Sequence, residues 1–180
     1  KMAELLPHRP EPAFQQGRLL NKQRKWELAE KPLRRALRAR PDFARAANSL
    51  GIALSQQGKF EESISWFQQA IQVQPSFGEA VFNWGLVLAG QGQDEAAKTK
   101  YQAAVEADPN YVPAHARLGQ IHAAAEQWDL AREHYLAISE LQPTNADAAL
   151  NLGVLYAKQI DDQPTRYLPL AIEQFEKVLR

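Results

Sequence analysis

Glycine returns every 34 residues along this chain, and this period constrains the fold more than any other feature of the sequence. The positions that share it are Gly17, Gly51, Gly85, Gly119 and Gly153. Proline keeps the same period 24 residues after each of the first four glycines, at Pro41, Pro75, Pro109 and Pro143. Two residue types that hold one phase over successive periods indicate an array of repeated units.

Three further positions in each of the first four units alternate between small and large side chains. Twelve residues after the glycine the side chain is small, at Ala29, Ser63, Ala97 and Ala131. Sixteen residues after it the side chain is large, at Leu33, Phe67, Tyr101 and Tyr135. Nineteen residues after it come Ala36, Ala70, Ala104 and Ile138. With apolar residues at helical spacing around each glycine, this order predicts two helices per unit, with small residues at the helix contacts. The large side chain fills the gap beside the glycine, and the proline ends the second helix.

These residues carry a resemblance to the tetratricopeptide repeat (TPR) family. The resemblance covers residues 10–180 in one array of five units, 10–43, 44–77, 78–111, 112–145 and 146–180, after a lead at 1–9. It implies an all-α fold, a right-handed superhelical solenoid of helix-turn-helix hairpins with about ten helices. In the fifth unit the pattern returns six residues late, at Ala171, Phe175 and Val178, which predicts a loop insertion near 159–169.

The cysteine content, the apolar runs and the charge distribution exclude some classes of protein. The chain has no cysteine, which excludes disulfides and thiolate metal sites. It has neither an apolar run of about 18 residues nor the basic-then-apolar start of a signal peptide, so we expect a soluble protein and favour the cytoplasm. Residues 1–43 carry 11 Lys+Arg against 5 Asp+Glu, and residues 44–180 carry 10 against 16, so the net charges are +6 and −6. Such asymmetry is typical of a docking end.

No group of residues has the pattern of an active site or a metal centre. His115 and His122 are seven residues apart on one predicted helix, about 10 Å in rise, too far for one zinc ion, and we interpret them as packing residues. Acidic residues that begin the second helices complement the positive helix ends. Asp161 and Asp162 in the insertion are two adjacent acids, which is weak evidence for a cation site. We therefore expect no enzyme activity, no cofactor and no bound metal.

The first helix of every unit lines the inner, concave side of an array of this kind, and TPR proteins commonly bind peptides there. Positions beside the packing stripe are the candidate groove residues: Asn48, Ile52, Phe82, Asn83, Leu86, Arg117, Gln120 and Asn151. We expect binding to centre on Asn83, Arg117 and Phe82. The row Asn83, Arg117 and Asn151 matters because an amide both donates and accepts hydrogen bonds and so holds an extended backbone. The resemblance implies an asparagine ladder at these positions of the first helices, which is incomplete here because Ser49 and Arg117 interrupt it. An apolar strip beside it suits a ligand with apolar anchors.

The sequence predicts a protein-interaction scaffold or adaptor that binds a peptide or a partner domain in this groove. Two alternatives remain open: a self-assembling module that pairs through its terminal repeats, and a docking domain of a larger enzyme or complex. Val178 and Leu179 favour the first, because they leave an apolar end that we expect further chain or another copy to cover. Nucleic acid is the partner class that we expect least. It would bind through Arg34, Arg35 and Arg38, but the basic segment 18–40 that contains them has only one aromatic residue for base stacking.

Overall fold

The computed structural model describes residues 9–179, and within them the chain forms ten α-helices and no strand. The helices are α1 (Pro10–Lys22), α2 (Trp26–Ala39), α3 (Ala44–Ser55), α4 (Phe60–Val73), α5 (Gly78–Gly90), α6 (Asp94–Ala107), α7 (Val112–Ala124), α8 (Trp128–Leu141), α9 (Ala146–Lys158) and α10 (Pro164–Leu179). Consecutive helices pair as hairpins, α1 with α2 through to α9 with α10. The predicted all-α fold of helix hairpins is confirmed. Nearly all of the predicted lead, with His8, lies outside the described residues.

The chain divides into two compact units after Asp108. In the first unit three hairpins pack in chain order, with α2 against α3 and α4 against α5. In the second unit α8 packs against α9 and so joins two hairpins. Each unit has its own apolar core, which includes Leu33 and Leu50 in the first and Tyr135 and Leu152 in the second. None of the helices within residues 9–179 combines the length and the apolar character that a membrane span requires.

At each repeat glycine, a large side chain of the partner helix occupies the space that a Cβ atom would need. A Cβ atom built on Gly51 would lie 2.6 Å from Phe67 Cε1, and one built on Gly85 would lie 2.6 Å from Tyr101 Cε1. The same relation holds for Gly17 with Leu33, Gly119 with Tyr135, and Gly153 with Phe175. Phe67 is fully buried, so a shift of its ring would disturb the packing around it. The predicted role of the glycine as a close contact is therefore confirmed in all five hairpins.

The turn inside each of the first four hairpins contains one residue in the left-handed backbone region. These residues are again 34 apart: Arg24 (φ 58°), Gly58 (φ 76°), Gly92 (φ 74°) and Glu126 (φ 56°). Glycine adopts this conformation without steric cost, whereas a side chain makes it unfavourable by about 1–2 kcal/mol. The turn geometry is thus a property of the repeat, and two of the four turns adopt it without glycine.

The prolines end the second helices as predicted. Helices α2, α4, α6 and α8 each stop two residues before the periodic proline. Acidic side chains lie in the first turns of second helices, at Glu61, Glu62, Asp94, Glu95 and Asp129, where they complement the positive end of the helix dipole.

The insertion in the fifth hairpin is only partly a loop. Helix α9 ends at Lys158 and α10 begins at Pro164, so residues 159–163 form the connection. Proline is well tolerated at the first position of a helix, because its missing N–H would have no intrahelical partner there. The remaining inserted residues, Pro169 among them, lengthen α10 to 16 residues.

Candidate peptide-binding faces

In the first unit, three predicted groove residues line one cleft. Ile52 of α3 and Asn83 and Leu86 of α5 surround a volume of about 250 Å³, with the ring of Phe67 also in its lining. Leu86 is 37% exposed, so its side chain is accessible from solvent. This arrangement places one amide beside apolar surface, which is the combination that a peptide with an apolar anchor requires.

The amide of Asn83 is oriented by a chain of hydrogen bonds that runs along the first helices. Asn48 Nδ2 donates to Glu79 Oε1 at 3.0 Å, and Asn83 Nδ2 donates to Asn48 Oδ1 at 3.0 Å. A carboxylate only accepts, so Asn48 must direct its N–H to Glu79 and its oxygen to Asn83. Asn83 Oδ1 accepts no hydrogen bond from the described residues, and one N–H of its amide is also unused. Asn83 therefore offers an acceptor and a donor whose orientation is fixed by the protein.

Two other predicted groove residues of this unit are mostly enclosed. Asn48 is 3% exposed, and its side chain is used in the chain of hydrogen bonds. Phe82 is 8% exposed, and its ring centroid lies 5.3 Å from that of Tyr101. We therefore expect Asn48 to position Asn83 and Phe82 to support the helix pair, with little surface left for a ligand.

In the second unit, Gln120 and Asn151 line a separate cleft of about 380 Å³ between α7 and α9. Arg117 is exposed and reaches Gln120, with 3.3 Å between Arg117 Nη1 and Gln120 Oε1. Two exposed apolar side chains lie on α9, Leu150 at 45% and Val154 at 44%. This face thus also combines amides, one cation and apolar side chains. We add Val154 to the predicted groove residues on this helix.

The second unit also contains three neighbouring histidines, one of which sequence reasoning did not connect with the others. His134 of α8 lies against both histidines of α7, with ring centroids 5.3 Å from His115 and 5.7 Å from His122. His115 and His122 are buried, as the packing interpretation predicts. The signal for His134 is its place directly before Tyr135, the repeat tyrosine of α8, but no spacing rule within one helix reveals its contact with α7.

Hydrogen bonds determine the tautomers in this histidine cluster. His115 Nε2 lies 3.0 Å from the carbonyl oxygen of Pro109, which only accepts, so His115 carries its proton on Nε2. His115 Nδ1 is then the acceptor for His134 Nδ1–H at 3.1 Å. Burial, with smaller contributions from His115 and His122, lowers the pKa of His134 to about 4. His134 is therefore neutral near pH 7. No three His, Cys, Asp or Glu side chains within residues 9–179 are arranged to hold a metal ion.

The basic segment of the first unit is partly neutralised. Arg34 forms ion pairs with Glu30 and Glu62, and Lys59 Nζ lies 2.9 Å from Glu30 Oε2. Burial alone would raise the pKa of Glu30, but the hydrogen bonds from Lys59 and Arg34 outweigh it and lower the pKa. Arg34 thus links α2 to α4, while Arg35 and Arg38 remain exposed.

Comparisons with known proteins agree with this architecture. The family profile described as "Tetratricopeptide repeat" matches residues 14–76, 53–112, 82–144 and 116–180. The sequence comparison with curated proteins gave no match.

Several solved structures share the fold. YrrB, described as a TPR protein with an unusual peptide-binding site, is 25% identical with a TM-score of 0.61, over 98% of this chain and 88% of its own. The pilF protein of Pseudomonas aeruginosa is 21% identical with a TM-score of 0.71, over 92% of this chain and 76% of its own. A MamA structure from Desulfovibrio magneticus RS-1 is 23% identical with a TM-score of 0.65, over 94% and 93%.

Proposed function

The chain belongs to the tetratricopeptide repeat family, and we propose that it is a protein-interaction scaffold that binds a peptide or a partner domain on the first helices of its hairpins. The observation that carries this proposal is the amide of Asn83. It has a fixed orientation and an unused acceptor, and it lies beside the apolar cleft formed by Ile52 and Leu86. YrrB, which shares the fold, is itself described as having a peptide-binding site.

Each part of this face has a separate role in the proposed complex. Asn83 holds the main chain of the ligand, because its oxygen accepts from a peptide N–H and its free N–H donates to a peptide carbonyl. Ile52 and Leu86 receive an apolar side chain of the ligand, and we expect them to provide most of the affinity. In the second unit, Arg117 and Asn151 give a second face for a polar segment, beside the carboxylate of Asp147.

Affinity for a peptide tests the proposal. Peptides selected from a random-peptide phage library against the folded protein are titrated into the wild type and into Asn83→Ala, Leu86→Glu and Arg117→Glu. We expect Leu86→Glu to weaken binding about tenfold or more, because it places a charge in the apolar cleft, and Asn83→Ala to weaken it by a smaller factor. Arg117→Glu reports on the face of the second unit.

Gln102→Glu is the matched control, since Gln102 is exposed on α6, a second helix, outside the clefts described above. It adds the same charge as Leu86→Glu and should leave the affinity unchanged. If the variants keep their helicity by circular dichroism and bind the selected peptides as tightly as the wild type does, the first helices are not the binding face.

A further inference from the structure

A cleft of about 410 Å³ in the second unit opens where the turn between α7 and α8 meets the connection between α9 and α10. Its lining includes Glu126, Trp128, Asp129, Gln159, Asp162 and Tyr167. It shares no lining residue with the cleft that contains Gln120 and Asn151. The proposed peptide-binding faces therefore do not account for it.

The charged side chains at this cleft are mainly acidic. Glu126 and Asp162 are exposed, and neither forms an ion pair within the described part of the chain. Asp129 is paired with Arg132 of its own helix. The remaining nearby cation, Arg166, lies 5.2 Å from the ring centroid of Tyr167. Two carboxylates thus remain without a counter-ion.

Gln159 adds a buried acceptor to the carboxylates. Its side chain is only 6% exposed, and its Nε2 atom is enclosed without a hydrogen-bond partner. Oε1 is neither enclosed nor hydrogen-bonded within the described residues, so we infer that it is the end of the amide accessible from the cleft. An enclosed amide nitrogen without a partner is unfavourable, so this side chain lowers the stability of the free protein. Glu126, Asp162 and Gln159 thus offer acceptors at the cleft, which suits a ligand that donates hydrogen bonds.

The aromatic walls indicate an organic cation rather than a metal ion. Trp128 is half-buried and carries no cation over its ring within the described residues, whereas the ring of Tyr167 is already near Arg166. An aromatic face attracts ammonium and guanidinium groups, and tryptophan does so most strongly. A metal ion would need several oxygen ligands at about 2.3 Å, and a cleft of this volume with an indole wall does not provide that geometry.

We propose that this cleft binds an organic cation, a guanidinium or ammonium group, which stacks on Trp128 and donates hydrogen bonds to Asp162 and to Gln159 Oε1. An arginine or lysine side chain of a protein partner and a free amine share this chemistry. The proposal is independent of the peptide-binding faces on the first helices.

The test is a titration followed by ¹H–¹⁵N NMR on the full chain, with the indole N–H signal of Trp128 identified by its loss in Trp128→Phe. One arm uses ethylguanidinium, and a second uses acetyl-Gly-Arg-Gly-amide. The control peptide replaces arginine by norleucine. We expect both cations to shift the Trp128 signal and the control to leave it in place. Tighter binding of the peptide would identify a protein-borne side chain as the ligand, and equal affinities would identify a small free cation.

Two substitutions separate ligand binding from a structural role. Asp162→Asn should weaken binding of the cation up to about fivefold, the factor that corresponds to about 1 kcal/mol for an exposed ion pair. Asp161→Asn removes the same charge one residue away, at a position outside the cleft lining, and should change the affinity less than twofold. Gln159→Met should also weaken binding while the thermal stability stays the same or rises, because it removes an unpaired enclosed amide.

Three results would overturn the proposal. The first is no shift of the Trp128 signal with either cation. The second is an equal effect of the two aspartate substitutions, which would mean that only the general charge of the surface acts. The third is displacement of the guanidinium by calcium ions at equal concentration, which would make this a metal site.

Discussion

Replacing Gly85 by alanine is expected to destabilise the protein, while the same replacement at Gly90, in the same helix, is expected to stabilise it. The new Cβ atom at position 85 would lie 2.6 Å from Tyr101 Cε1 and 2.9 Å from Tyr101 Cδ1, so the buried ring must move. Overpacking of this kind costs about 1–3 kcal/mol, partly offset by the higher helix propensity of alanine. At Gly90 a new Cβ atom would have no neighbour within 4 Å outside its own helix backbone. Only the gain in helix propensity then remains, up to about 1 kcal/mol. Urea unfolding of both variants measures the difference.

A double-mutant cycle identifies the contact as the cause. Tyr101→Leu alone costs stability because it removes ring atoms from a buried site. Combined with Gly85→Ala, it should cost less than the sum of the two changes, because the smaller side chain leaves room for the new methyl group. Additive effects, or a stabilised Gly85→Ala variant, would mean that glycine and tyrosine do not share one contact.

Acid is expected to destabilise the second unit through His134, and His134→Gln should remove this effect. Burial and the neighbouring His115 and His122 lower the pKa of His134 from 6.5 to about 4 in the folded protein, so folding favours the neutral ring. The stabilisation is fully present above pH 6.5 and is lost as the pH falls towards about 4. The shift corresponds to about 3 kcal/mol without solvent screening, and we expect about 1–2 kcal/mol because the ring is partly exposed.

Glutamine keeps a hydrogen-bond donor for His115 Nδ1 but does not titrate. The free energy of unfolding, measured in urea from about pH 7.5 to about pH 4, should therefore fall more steeply for the wild type than for His134→Gln. Carboxylates elsewhere titrate equally in both proteins and cancel in the comparison. Parallel curves would show that His134 keeps its ordinary pKa in the folded state.

Most of the fold is predictable from the sequence because the contacts within one hairpin are local and repeat. Gly51 and Phe67 are 16 residues apart, and their contact is encoded again at Gly85 and Tyr101. Repetition allows the phase of one unit to be checked against the next, which a single irregular domain does not permit. The periodic proline likewise marks the end of each second helix.

The insertion was less predictable because proline has two opposite effects: it disrupts the interior of a helix and is favoured at the first helical position. Two prolines within 159–169 suggest a loop, yet Pro164 is the first residue of α10 and so favours a helix start. The sequence alone does not distinguish a proline that ends a helix from one that begins the next. The difference depends on where the chain must pack next.

The candidate sites were only partly predictable, because they depend on contacts between helices that no single helical period reveals. Asn48 and Asn83 are both among the predicted groove residues. Their orientation, however, depends on the hydrogen bond that Asn48 donates to Glu79 and on the one that Asn83 donates to Asn48. His134 joins His115 only because α8 packs against α7. The cleft at Trp128 and Asp162 combines two connections that lie far apart in the sequence. Pairing across helices, rather than composition, determines these sites.

We propose that the first helices, and not the second ones, bind the partner, and site-specific photo-crosslinking in the cells that naturally produce the protein distinguishes the two. Benzoyl-phenylalanine is placed at Leu86 on α5 in one version and at Gln102 on α6 in the other, both of which are exposed. We expect a covalent adduct with one other protein from position 86 and none from position 102. Adducts of equal yield from both positions, or an adduct from position 102 alone, would contradict it.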